Sequence, residues 1–202
     1  MSRGAYHVLH VVCGVVLLAA CSFPGSVKPT VKVGLSAPFE GRYRDLGYEA
    51  LYAVRLSVQQ RNEAGGVGGR YWVELVALND FNEPEDALVQ ARKMAVDHGV
   101  LGVLGGWSEE TAVAVAPEYE RLGIPFLTAE MDWTAGDSGQ PVPVDPQFAV
   151  NYKALSGGAP PGPAAVWAYF EASRLLDAID AATRAEGQPT RAGVLVALTV
   201  LR

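Results

Sequence analysis

Two stretches of this sequence carry residue types that can meet a ligand. Gly105-Gly106-Trp107-Ser108-Glu109-Glu110-Thr111 joins an apolar run to a helical pattern. Backbone N–H groups left free at a helix start, together with the Ser108 hydroxyl, can receive an anionic group. The same residues also read as a plain helix start, with Ser108 as N-cap and Glu109 and Glu110 favouring the dipole. Both readings stay open at this level. Glu130-Met131-Asp132-Trp133 adds two acids and a ring, and Arg42-Tyr43-Arg44 adds two cations and a ring. Glu109, Glu110, Glu130 and Asp132 are the only candidates for paired-carboxylate acid–base work. Arg42 and Arg44 can equally pair with those acids at a solvated surface.

Other chemistries fall away on counting. Three histidines are present, and His7 and His10 sit in the apolar N-terminal stretch, which leaves His98 alone in the rest. One histidine excludes multi-histidine metal sites and argues against a Ser-His-Asp triad. His98 falls before Gly99 at the end of a helical pattern and reads as a C-terminal cap. The glycine cluster Gly65–Gly69 lacks the Gly-Lys-Ser/Thr ending of a phosphate loop and lies between a helix and a strand, the reverse of a dinucleotide turn. It reads as a helix stop. No cofactor, no metal and no enzymatic activity is expected. The formal charge of −6 is spread without a basic patch, which excludes nucleic acid as a partner.

The N-terminus has the three parts of a secretory signal. Arg3 is the positive residue, Val8–Leu18 is almost wholly apolar, and Leu18-Ala19-Ala20-Cys21 follows. The stretch is shorter than the roughly 20 residues a membrane span needs. Leu-Ala-Ala-Cys resembles the lipobox of bacterial lipoproteins, which makes Cys21 the lipidation site. On this reading residues 1–20 are removed and 21–30, rich in Pro, Gly and Ser, form a lipidated tether. About 180 residues then remain, enough for one domain with a real core. Cys13 leaves with the signal, so the mature chain holds no disulfide. The protein is expected on the outer face of a membrane, held by lipid.

The elements that position these loops follow from periodicity. Val31–Ser36 alternates and is β-branched, a strand. A helix is expected over Asp45–Ala64, a strand over Tyr71–Leu78, a helix opened by Asn82-Glu83-Pro84, a strand over Val100–Leu104, a helix over Glu109–Leu122 and a strand over Ile124–Thr128. Residues 134–146 are turn-forming. Helices follow at Gln147–Leu155, Ala164–Glu186 and from Thr190 onward. Alternation of this kind gives an α/β fold, an open parallel doubly wound sheet in three αβα layers. Ligands in such sheets bind outside the strand C-termini, here Ala37–Arg44, Asn79–Glu83, Gly105–Glu110 and Ala129–Thr134.

Several segments together resemble a known family. They are VKVGLSAPFEGRYRDLG, RNEAGGVGGR, VELVALNDFNEPEDALVQARKM, VLGVLGGWSEETAVAVAPEYERLGIPFLT and FAVNYKALSGGAPPGPAAVWAYFEASRLLDAI. Their order and spacing are similar to lobe one of the leucine/isoleucine/valine-type periplasmic binding proteins, the receptors of branched-chain amino-acid ABC transporters. The resemblance implies one lobe of a type I periplasmic binding fold over 31–202, with the second lobe missing near 134–146. It implies a non-enzymatic solute-binding lipoprotein, a small polar solute such as an amino acid, and an ABC permease as partner. By the same resemblance Tyr43, Trp107, Ser108, Glu109 and Asp132 are the ligand-binding candidates, with Ser108 donating and the aromatics as apolar walls. Glu109 stands where the family has a hydroxyl that holds the amino-acid carboxylate, and would repel it. The acids suit a cationic or polyhydroxylated ligand better. The alternative is a single-lobe interaction module, for instance a homodimer stacking its cleft faces, or a shortened or decayed relative without transport-competent binding.

Overall fold

The computed structural model describes residues 28–128 and 145–201. The signal segment, Cys21, most of the tether, Glu130, Asp132, Trp133 and the junction up to 144 lie outside the described residues.

The order is β1 (Thr30–Ala37), α1 (Arg44–Glu63), β2 (Trp72–Asn79), α2 (Pro84–Val96), β3 (Val100–Gly105), α3 (Glu109–Arg121), β4 (Phe126–Thr128), α4 (Pro146–Leu155), α5 (Pro163–Glu186) and α6 (Arg191–Val200). The strands form one sheet in the order β2-β1-β3-β4, every neighbouring pair parallel. Parallel strands covered on both faces read as continuous apolar runs. That is why all six residues of β3, VLGVLG, are buried.

Side chains alternate along β1, whereas β3 carries one extra residue between its pairings with Lys32 and Gly34, and two cores result. Val31, Val33, Leu35 and Ala37 of β1 and Leu101 and Leu104 of β3 face α1, α4 and α5. Val100 and Val103 face α2 and α3, packing with Ala87, Ala91, Met94, Val115 and Tyr119. Gly102 is needed for the first core: a Cβ there would lie 2.6 Å from Leu175 of α5. The expected αβα layering is therefore present.

Most element bounds fall within one residue of expectation, and two termini differ by more. The fourth strand begins at Phe126 rather than Ile124, because Pro125 has no N–H to donate; only its carbonyl joins the ladder, accepting from Val103 N at 2.8 Å. The second concerns the end of α2. His98 lies beyond the helix, and the partly buried carbonyls at and just after the helix end are met by Arg191, the first residue of α6. Its guanidinium donates to Asp97 O and Val100 O at 2.8 Å and to Ala95 O and Met94 O at 3.4 and 3.5 Å. A cation at a helix C-terminus is favourable, but here it arrives from the far end of the chain. The N-terminus of α5 is served the same way. Its own cap residue, Gly162, has no side chain, and the Glu49 carboxylate of α1 accepts from the Ala165 backbone.

The glycines between α1 and β2 act as a turn. Gly65, Gly66, Gly68 and Gly69 all have positive φ, and Gly68 N donates to Asp180 at 2.7 Å. The turn sits at the N-terminal end of β2, away from the strand ends where a ligand would lie. Among the described residues no helix is long and apolar enough to cross a membrane.

Candidate functional site at the strand C-termini

The loops after β1, β2 and β3 meet over a buried polar cluster. At its centre is Asp80, 1% exposed. Its carboxylate accepts from Ser36 Oγ at 2.7 Å and from Asn82 N at 2.9 Å, and its own N–H donates to Ala37 O at 3.2 Å. Asn82 Oδ1 lies 3.3 Å from the Thr111 hydroxyl of α3. The cluster thus ties together the ends of β1, β2 and the start of α3.

Asp80 also shapes the loop that follows. Phe81 and Asn82 have φ of 54° and 60°, the left-handed region that costs a bulky side chain of order 1–3 kcal/mol. Asn79 Oδ1 accepts from Phe81 N at 3.1 Å and from Phe39 N at 2.9 Å, so one side chain joins the β1 and β2 loops.

Between those two loops lies an open cleft of about 580 Å³, lined by Glu40, Gly41, Arg42, Tyr43, Phe81, Glu83 and Asp86. The Arg42 guanidinium stands over the Tyr43 ring at 5.4 Å, and Arg44 lies 3.5 Å from its neighbour Asp45.

The sequence-derived candidates part company here. Tyr43 lines the cleft. Trp107 does not: it is 0% exposed, its Nε1 donates to Ser36 O at 2.8 Å, and its ring meets Trp167 edge-on at 5.1 Å. Ser108 is 4% exposed and closes a capping box with Thr111: Thr111 N donates to Ser108 Oγ at 3.4 Å and Ser108 N to Thr111 Oγ1 at 3.1 Å. Glu109 is exposed in the first turn of α3 and does not line the cleft. Asp132 lies outside the described residues. The cleft residues passed over in the sequence are Glu40, Phe81, Glu83 and Asp86. The signal available was Asn79-Asp80-Phe81-Asn82, a ring flanked by the residue types that support turns. Among the described residues no cluster of three or more His, Cys, Asp or Glu could hold a metal ion.

Burial raises the pKa of Asp80 above the ordinary carboxylate value; desolvation outweighs the hydrogen bonds from Asn82 N and Ser36 that oppose it. A raised folded-state pKa gives stability that is full below the unfolded value, about 4, and is lost as pH rises through the folded one. The stability of the protein relative to its Asp80→Asn variant should therefore rise as pH falls from 7 towards 4. Denaturant unfolding of both proteins at several pH values checks this; a constant difference would count against it.

The family described as periplasmic binding protein matches residues 30–148. The Leu/Ile/Val-binding protein homolog 7 of Brucella abortus (strain 2308) is 30% identical over 113 residues, which are 56% of this chain and 27% of that protein. The amino acid binding protein of Pseudomonas aeruginosa is 24% identical over 118 residues, 57% of this chain and 31% of its own length. The chain thus spans about a quarter to a third of these relatives. Two solved structures share the fold. The branched-chain amino acid transporter substrate binding protein LivJ from Streptococcus pneumoniae, in complex with isoleucine, has a TM-score of 0.68 at 12% identity, covering 84% of this chain and 87% of that one. The fatty acid ABC transporter substrate-binding protein from Thermomonospora curvata has a TM-score of 0.65 at 15% identity, covering 88% and 82%. Two such different ligands on one fold mean that the fold does not name the solute.

Proposed function

The chain belongs to the periplasmic binding protein family, and from that premise we propose that it is the solute-binding, non-enzymatic lobe-one domain of an extracytoplasmic lipoprotein related to the amino-acid receptors of ABC transporters. Cys21 carries the lipid, and a permease is the partner beside which the anchor holds the domain. Binding uses the loops at the C-terminal ends of β1, β2 and β3. The observation that carries the reading is the cleft between the β1 and β2 loops, at the edge where open parallel sheets bind ligands.

With the second lobe missing near 134–146, closure of two walls on a ligand is not available. The single lobe then binds weakly. The test is a thermal-shift screen of the purified chain against amino acids, sugars and amines, followed by calorimetry. A ligand that binds only the folded state at 100 times its Kd adds about 2.7 kcal/mol. At least one solute should raise Tm at millimolar concentration, while leucine, isoleucine and valine bind no tighter than micromolar. No shift across the panel rejects solute binding; sub-micromolar leucine binding rejects the single-lobe account.

One observation favours a second reading, a homodimerising module. Leu195, Val196 and Val200 of α6 and Leu201 just after it are exposed, and α6 carries no charge after Arg191 within its ten residues. Arg191 reaches the start of β3, so α6 lies at the opposite end of the sheet from the cleft. Pairing through α6 would leave the cleft open, and the two readings are compatible.

A further inference from the structure

The cleft has a chemical character of its own. Its lining holds three carboxylates, Glu40, Glu83 and Asp86, and one guanidinium, Arg42, while Tyr43 and Phe81 supply aromatic surface. The net lining charge is negative, which disfavours an anionic solute or the carboxylate end of an amino acid. Aromatic rings beside acids suit a soft organic cation rather than a small metal ion, which needs a closed shell of oxygens. The chain itself supplies a stand-in. The Arg42 guanidinium lies over the Tyr43 ring at 5.4 Å, inside the range where the ring face attracts a cation. The two walls are also held in place before any ligand arrives, because Asn79 Oδ1 accepts from Phe39 N in one loop and Phe81 N in the other. Pre-formed walls lower the ordering cost of binding.

We propose that this cleft binds an organic cation: an ammonium or guanidinium head among Glu40, Glu83 and Asp86, with a short apolar body against Tyr43 and Phe81. The proposal rests on the solute-binding reading above and names its ligand class. It places Arg42 as a built-in competitor, which a ligand displaces from the Tyr43 face. It also separates this position from the start of α3, where Ser108 and Thr111 satisfy each other and leave no free hydroxyl for a solute.

The experiment is calorimetry of the purified full chain with choline and putrescine, against leucine and ribose as neutral or zwitterionic probes. It is repeated on Tyr43→Leu, Glu83→Gln and Arg42→Ala, with thermal melts confirming that each variant is folded. Choline or putrescine should bind. Tyr43→Leu should weaken binding about 3- to 30-fold, the span of a cation–π contact. Glu83→Gln should weaken it too, and Arg42→Ala should strengthen it. Binding of leucine or ribose without either cation overturns the ligand class and leaves solute binding standing. Binding of no probe, by folded protein, overturns both. Cation binding that none of the three substitutions changes overturns the placement in this cleft.

Discussion

Replacing Trp107 with alanine should lower the unfolding free energy by about 3–5 kcal/mol, the usual cost of truncating a large buried side chain. The ring is 0% exposed in the first core, meets Trp167 edge-on, and gives its one N–H to Ser36 O at 2.8 Å. Truncation opens a cavity, removes an aromatic pair and leaves a buried carbonyl unpaired, and each of these is costly in itself. An exposed ligand wall behaves otherwise: surface substitutions fall within about 0.5 kcal/mol. Glu109→Gln, on the exposed first turn of the neighbouring helix, is the control and should fall in that range. Urea unfolding of the three proteins is the measurement. A Trp107→Ala midpoint close to that of the parent would mean that the ring is not a core element. Since domains are stable by only about 5–15 kcal/mol, this variant should be near the limit of folding.

The second large effect should come from Arg191. Methionine there keeps the apolar stem and removes the fork that meets the carbonyls of Met94, Ala95, Asp97 and Val100. Hydrogen bonds to a charged group contribute about 1.5–3 kcal/mol net, and carbonyls left partly buried add to the loss. About 3 kcal/mol is expected for Arg191→Met. Lysine, a point charge on a flexible stem, cannot span four acceptors and should recover less than half of it. Equal stability of Arg191→Lys and the parent would show that charge alone, through the helix dipole, carries the effect. Burial lowers the pKa of Arg191 from its ordinary value, but a guanidinium stays charged throughout the accessible range, so no pH dependence is expected from this residue itself.

These two residues mark where the sequence is legible and where it is not. Strand and helix identities follow from spacing that each segment carries within itself: alternation in β1, the apolar run of β3, prolines at the starts of α2, α4 and α5. Trp107 was ambiguous because a ring beside a serine at a strand end looks the same whether it points out or in. What decides is Gly106, at φ 71°, where a Cβ would press on Thr128 Oγ1 and on Ala112; the chain turns there and the ring lies beneath β1. Phe81 was missed because its placement depends on two successive left-handed residues, a conformation that only the buried Asp80 and Asn79 make affordable. The caps of α2 and α5 escaped for a third reason. Local rules look for a cap in the nearest suitable residue: His98 reads as one for α2, and Gly162 before α5 has no side chain to offer. The groups that serve are Arg191 and Glu49, more than 90 residues from the helix ends they complete. Tertiary satisfaction of helix ends leaves no mark in the neighbouring sequence.

The packing of α1 against α5 bears on how the chain reaches this structure. Ser57 meets Ser173 at 2.9 Å, Arg61 pairs with Asp177 and Gly68 donates to Asp180, contacts between residues 112 to 116 apart. Contacts that distant are slow to form, since the intervening chain must first be gathered. As the polypeptide emerges from its N-terminus, β1 and α1 are complete early, yet their apolar faces have no cover until Leu175, Leu176 and Ile179 arrive. The first core therefore cannot close until α5 has been made. A chain that stays open until its last third is made is also one that can still be threaded across a membrane, the state an exported domain has to preserve.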